Sequence, residues 1–112
     1  MVIRAREGAS APLQVTWVDS LGHALDVANV TYTIFTYDGA IRTVIGVADS
    51  PMSPTDETHR FVTHFLIPDG YAGATLFCSF KATHNDDAST LTSEMTIQVE
   101  KSISEQRLNV TL

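Results

Sequence analysis

Residues Arg60 to Thr83 read RFVTHFLIPDGYAGATLFCSFKAT, and this stretch sets the terms for the rest of the chain. Phe61, Thr63, Phe65 and Ile67 fall at alternate positions of one run, and Leu76, Cys78, Phe80 and Ala82 at alternate positions of another. Side chains along a strand point to opposite faces in turn, so each run lays one apolar row onto a core. Between the runs, Pro68-Asp69-Gly70 and Gly73 supply the fixed and the permissive φ that a chain reversal needs. The stretch is expected to be the central scaffold of an all-β protein, joining two strands within one sheet or between two.

The same pattern extends outward. Pro12 to Asp19 alternates Leu13, Val15 and Trp17 with Gln14, Thr16 and Val18, and Asp19-Ser20-Leu21-Gly22 closes that strand as a turn. Val30 to Tyr37 consists only of β-branched and aromatic residues, which suit a pleated, half-buried surface. Its two faces are Val30, Tyr32, Ile34, Thr36 and Thr31, Thr33, Phe35, Tyr37. Asp38-Gly39 favours a tight hairpin, and Ile41 to Val47 is its partner, presenting Ile41, Thr43, Ile45 and Val47. Residues 48–58 hold Pro51 and Pro54 among polar side chains and are expected to form a loop. A polar hairpin loop over residues 84–89 precedes a last strand, in which Met95, Ile97 and Val99 face inward and Glu94, Gln98 and Glu100 outward.

Short strands with turn signals every ~8–12 residues predict an all-β, antiparallel β-sandwich of about seven strands. A jelly roll or small barrel is the alternative, because alternation fixes strand content better than strand order. The expected core is Trp17, Tyr32, Ile34, Phe61, Phe65, Leu76, Cys78, Phe80, Met95 and Ile97. Residues 1–10 are an N-terminal arm or edge strand, residues 11–100 the sandwich, and residues 101–112 a C-terminal arm or edge strand. In that last segment Leu108, Val110 and Leu112 alternate.

Composition narrows the function classes. With 112 residues there is room for one core, and 44% hydrophobic residues mark a globular chain. Thirteen acidic against seven basic residues give a net charge of −6, which argues against a nucleic-acid partner. No apolar run approaches the ~18 residues of a membrane span, and none near the N-terminus suits a signal peptide. The expectation is a protein made in the cytoplasm with no membrane partner. Cys78 is the only cysteine, so no internal disulfide forms.

Asp19-x-x-Gly22 after a strand, Tyr32-Thr33-Ile34, Phe65-Leu66-Ile67-Pro68-x-Gly70-x-x-Gly73 and the closing Ile97-Gln98-Val99-Glu100 together resemble immunoglobulin-like modules of bacterial and phage surface proteins. The resemblance covers roughly Ala11 to Glu100. The chain departs from antibody-type domains, which pair two cysteines across the sheets and pack a tryptophan nearby. Here Cys78 is alone, Trp17 lies on an early strand, and Leu76 stands two residues before Cys78 where tyrosine is usual. At this size the module is similar to small virion proteins of tailed bacteriophages, capsid decoration or tail accessory proteins. The resemblance implies a non-enzymatic structural protein located in the virion. Its implied partners are capsid or tail subunits, and it would act as a homo-oligomer or within a larger assembly.

No residue set in the sequence asks for a cofactor or supports an enzyme. His59 and His64 stand an odd number of positions apart, which on one strand puts them on opposite faces. His84, Asp86 and Asp87 offer oxygen and imidazole ligands for a hard cation, but without a spaced loop signature they read as a solvated turn. Cys78 alternates with Leu76 and Phe80 and reads as a small core hydrophobe. Asn29-Val30-Thr31 and Asn109-Val110-Thr111 match the glycosylation pattern by chance. What remains is a set of apolar residues opposite the core rows: Phe35, Tyr37, Val44, Val62, Leu66 and Phe77. Gathered on one sheet, they would make a patch for another subunit. These residues, with Leu108 and Val110 on the C-terminal arm, are the candidate interaction residues. A second reading is a ligand- or carbohydrate-binding module with Tyr37 and Tyr71 stacking on a sugar ring.

Overall fold

A computed structural model describes residues 2–101. Its elements are β1 (Val2–Arg6), β2 (Ser10–Thr16), β3 (Val27–Asp38), β4 (Ile41–Pro51), β5 (Ser53–Pro54), β6 (Arg60–Leu66), β7 (Thr75–His84) and β8 (Thr90–Glu100). They form a five-stranded sheet in the order β1-β8-β7-β3-β4 and a three-stranded sheet in the order β2-β6-β5. The fold is all-β and sandwich-like, with no helix among the described residues.

The core lies between the sheets. Ala11, Leu13 and Val15 from β2 meet Val30 and Ile34 from β3, Leu76, Cys78, Phe80 and Ala82 from β7, and Met95, Ile97 and Val99 from β8. Trp17 and Ile67 are buried with them, while Tyr32, Phe61, Phe65 and Tyr71 pack half-buried at the margin. The rows predicted for the core are therefore the rows that meet.

The two runs of the Arg60–Thr83 stretch do not pair with each other. β6 pairs with β2 and β5, whereas β7 lies between β3 and β8. Their apolar rows face one another across the core, and the segment between them is a crossover. Ile67 N–H donates to Ala9 O (3.0 Å) on one side, and Gly73 N–H to Val99 O (2.8 Å) on the other. The crossover also holds the buried Glu7, whose Oε2 accepts from Gly70 N–H at 3.0 Å. That bond meets part of the cost of removing a carboxylate from water.

Three expectations need correction. The first sheet is mixed and not wholly antiparallel, because β1 runs parallel to β8, from Val2 opposite Thr96 to Arg6 opposite Glu100. Residues 2–6 are thus an edge strand, with Ile3 and Ala5 packed on the core. Secondly, β4 and β5 occupy much of the region expected to be loop. Proline is tolerated there because these are edge strands. Met52 N–H donates to Val30 O (3.0 Å), which turns the nitrogen of its neighbour Pro51 toward the free edge. The bond from Thr55 N–H to Arg60 O (3.2 Å) does the same for Pro54.

Thirdly, Ile41, Thr43, Ile45 and Val47 do not form one buried row. Ile45 is buried, but Ile41 and Val47 are exposed. Ile34 faces Ile45 while Tyr32 faces Ser50, so residues 46–49 stand against Thr33 alone. Such a bulge breaks the alternation, and positive φ at Gly46 (82°) and Asp49 (53°) permits it. The expected Asp38-Gly39 hairpin is present, with Asp38 opposite Ile41 and Gly39 at φ 64°. The turn at residues 19–22 is also formed, with Asp19 Oδ1 accepting from Leu21 and His23 N–H, both at 2.9 Å.

Candidate interaction face

The face of the five-stranded sheet turned away from the core is built mainly by alternate residues of β3 and β7. Phe35 lies opposite Phe77 on β7 and opposite Val44 on β4. The rings of Phe35 and Phe77 stack with centroids 5.6 Å apart and an interplanar angle of 22°. Tyr37, two residues along on the same face, meets both edge-on, at 5.7 Å from Phe35 and 5.5 Å from Phe77. The Arg42 guanidinium, opposite Tyr37 on β4, lies 4.1 Å from the Phe35 ring centroid. Each aromatic pair contributes about 0.5–1.5 kcal/mol beyond area burial, and the cation–π contact about 0.5–1 kcal/mol.

This cluster covers Phe35 almost completely, leaving it 5% exposed although it lies outside the core. Tyr37 remains 53% exposed and Val44 39%. Register carries the row across the whole sheet: Val44, Phe35, Phe77, Thr96 and Val2 stand side by side on five strands. Val2, at the far end, is 63% exposed. The bulge of residues 46–49 bounds the row. Asp49 N–H donates to the buried Thr33 Oγ1 (2.9 Å), and the Asp49 carboxylate pairs with Lys81 Nζ at 3.3 Å. On the opposite side, Gln98 Nε2 donates to Thr75 Oγ1 at 2.9 Å.

The predicted interaction residues therefore divide. Phe35, Tyr37, Phe77 and Val44 come together. Val62 and Leu66 lie with His64 on the outer face of the three-stranded sheet, where Val62 faces Gln14 and Leu66 faces Ser10. They are on the other side of the molecule and do not join the aromatic cluster. Leu108 and Val110 lie outside the described residues. Sequence reasoning missed Val2 and Arg42. Arg42 was legible as the hairpin partner of Tyr37 across Asp38-Gly39, whereas Val2 enters the row only through a parallel pairing of the first strand with the last.

Several other polar groups have structural partners, although the buried Trp17 Nε1 has no hydrogen-bond partner among the described residues. His59 pairs with Glu57 (3.7 Å), and His64 is exposed on β6. His84 contacts Asp86 (3.6 Å) and Asp87 (3.3 Å). Asp87 also accepts from Ser89 Oγ (2.6 Å) and Ser89 N–H (3.0 Å). These two bonds, with the nearby His84, hold the Asp87 carboxyl below its ordinary value. No group of three or more His, Cys, Asp or Glu placed to hold a metal occurs among the described residues. Cys78 is fully buried, and burial pushes its thiol up to about 12, so the reactive thiolate is scarce at neutral pH. A cleft of about 700 Å³ opens beside β2, with Ile3, Leu13, Phe80 and Met95 in its wall.

No protein-family model matches the chain, and no curated protein matches it.

Proposed function

We propose that this chain is a non-enzymatic structural protein of a phage-like particle, which binds capsid or tail subunits through the outer face of its five-stranded sheet. The observation that carries the reading is the aromatic cluster of Phe35, Tyr37 and Phe77 on the solvent side of that sheet, continued by exposed Val44 and Val2. Exposed apolar side chains gathered on one sheet face mark a place for a partner. Aromatic residues and arginine are also the types enriched where binding energy concentrates.

Strand order supports an immunoglobulin-like reading of the architecture. Lettering β2 to β8 as B, C, C′, D, E, F and G gives a G-F-C-C′ sheet facing a B-E-D sheet, close to the variable type but lacking a C″ strand among the described residues. The first strand then crosses to lie beside the last instead of beside β2. The sugar-binding alternative loses one of its two aromatics, because Tyr71 packs half-buried against the core.

Proline supports a face, not an edge, as the binding surface. Trp17 N–H donates to His59 O (2.9 Å), so by alternation Pro12 presents its nitrogen to the free edge of β2. With Pro51 and Pro54, three edge strands carry proline where an added strand would seek a donor, a common guard against edge-to-edge pairing.

The test is association with assembled particles. Wild-type protein is expected to co-sediment with them, and Val44→Glu, which charges an exposed position beside the cluster, to release it while melting like the wild type by circular dichroism. Binding that survives Tyr37→Glu and Val44→Glu together would remove the face from the proposal.

A further inference from the structure

We infer that the protein forms a homodimer in which the outer faces of two five-stranded sheets stack about a two-fold axis running along the row Val44–Phe35–Phe77–Thr96–Val2. The inference rests on the reading of this face as a binding surface, which a second copy and a particle subunit would occupy in turn and not together.

Charge points to a second copy. The chain as a whole carries seven basic and thirteen acidic residues. On the outer side of the five-stranded sheet, by alternation and pairing, stand Arg4, Arg6, Arg42 and Lys81 against Asp49, Glu94 and Glu100. More than half of the basic residues but under a quarter of the acidic ones are on this side, so two copies can approach here without the repulsion that a net charge of −6 imposes elsewhere. A surface of mixed sign is also what a two-fold contact requires, because one patch must complement itself.

The charges are placed for that symmetry. Arg4 lies opposite Gln98, on one side of the apolar row, and Glu94 lies opposite Ser79, on the other side. Rotation about the row exchanges its two sides. Arg4 of each copy then comes over the Glu94 side of its mate. Because β1 and β8 are neighbouring strands, the lateral offset is about 5 Å, within reach of both side chains. Arg4 is available: its contact with Glu100 is long, at 3.7 Å, and its side chain is 80% exposed. Glu94 takes no part in the ion pairs of this face among the described residues.

Size is adequate for a modest dimer. Five strands and three rows of side chains present about 500 Å² of flat face per copy, or about 1,000 Å² in the pair, from ordinary strand spacings. That is the lower bound for a specific interface, so a micromolar dissociation constant is expected. Stacked sheets align within about 30°, which rotation about an axis across the strands allows.

Sedimentation velocity over a concentration series from low to high micromolar tests the inference. The wild type is expected to pass from monomer to dimer, and Val44→Glu to remain monomeric while melting like the wild type. Arg4→Glu and Glu94→Arg are each expected to weaken the dimer about tenfold, the equivalent of about 1.4 kcal/mol. The double reversal is expected to restore it. A wild type that stays monomeric at every concentration overturns the inference, and so does a dimer indifferent to Val44→Glu or a double reversal that fails to recover. A monomeric wild type whose particle binding is lost in Val44→Glu overturns the dimer alone and leaves the structural role standing. A dimer with the expected charge reversal but no affinity for particles does the opposite.

Discussion

Replacing Phe35 by alanine tests whether the outer aromatic cluster is packed as a unit. Phe35 is 5% exposed, yet its cover comes from its own sheet face: Phe77 at 5.6 Å, Tyr37 at 5.7 Å and the Arg42 guanidinium at 4.1 Å. The variant loses two ring pairs at about 1 kcal/mol each and a cation–π contact of about 0.5 kcal/mol, together with the transfer energy of the ring. Water and the neighbouring side chains can refill a void open to solvent. The expected cost is therefore at the low end of the range for buried Phe→Ala, about 3 kcal/mol. With a urea slope of about 1–2 kcal/mol per molar, the midpoint should fall by about 1.5–3 M. Equilibrium urea denaturation followed by Trp17 fluorescence reads this directly. The double variant with Phe77→Ala should show a coupling of about 1 kcal/mol, since the rings touch. Leu66→Ala, at a 63% exposed position on the other sheet, should change stability by less than about 0.5 kcal/mol. A Phe35→Ala cost below about 1 kcal/mol, or no coupling to Phe77, would refute the packing reasoning and with it the preorganised face.

Four further outcomes follow from other parts of the chain. Cys78 should react with a thiol reagent in native protein far more slowly than in urea-unfolded protein; fast native labelling would contradict its burial. Because its folded value is raised to about 12 from an ordinary 9.0, the unfolded state loses this proton first, so its contribution to stability is full below pH 9 and falls as pH rises toward 12. Cys78→Ala should flatten that alkaline part of the stability profile. Ser89→Ala removes the main hydrogen bond that depresses the Asp87 carboxyl, so Asp87 should titrate at higher pH in an NMR carboxyl titration, and an unchanged midpoint would show that the bond is not formed in solution. Pro12→Val restores a donor on the free edge of β2, and light scattering during prolonged incubation should show more aggregation than in the wild type, with no change in the native fold.

Strand content and the buried rows were legible because alternation is a local property. Leu76, Cys78 and Phe80 had to share a face whatever they packed against, as did Leu13, Val15 and Trp17. The Asp38-Gly39 hairpin was legible for the same reason: its turn chemistry and both its strands lie within a short span. Prolines at 51 and 54 misled because a proline is excluded only where its missing donor faces a partner strand, and edge position is not a local property. The bulge at residues 46–49 was hidden because it breaks the periodicity from which the strand was read.

By itself, then, the sequence determined that the fold is all-β, which side chains of the regularly alternating strands are inward and where the hairpin turns at Asp19–Gly22 and Asp38-Gly39 fall. Tertiary structure alone decided which strands are neighbours. It sent β6 and β7 to opposite sheets, so that the Arg60–Thr83 stretch spans the core, and it split Val62 and Leu66 from Phe35, Tyr37 and Phe77. It also laid β1 beside β8, which brings Val2 into line with Val44 from far along the chain. The physical reason is that a period of two fixes the face of each side chain. Pairing and register, which turn separate faces into one surface, are set by contacts between residues distant in sequence.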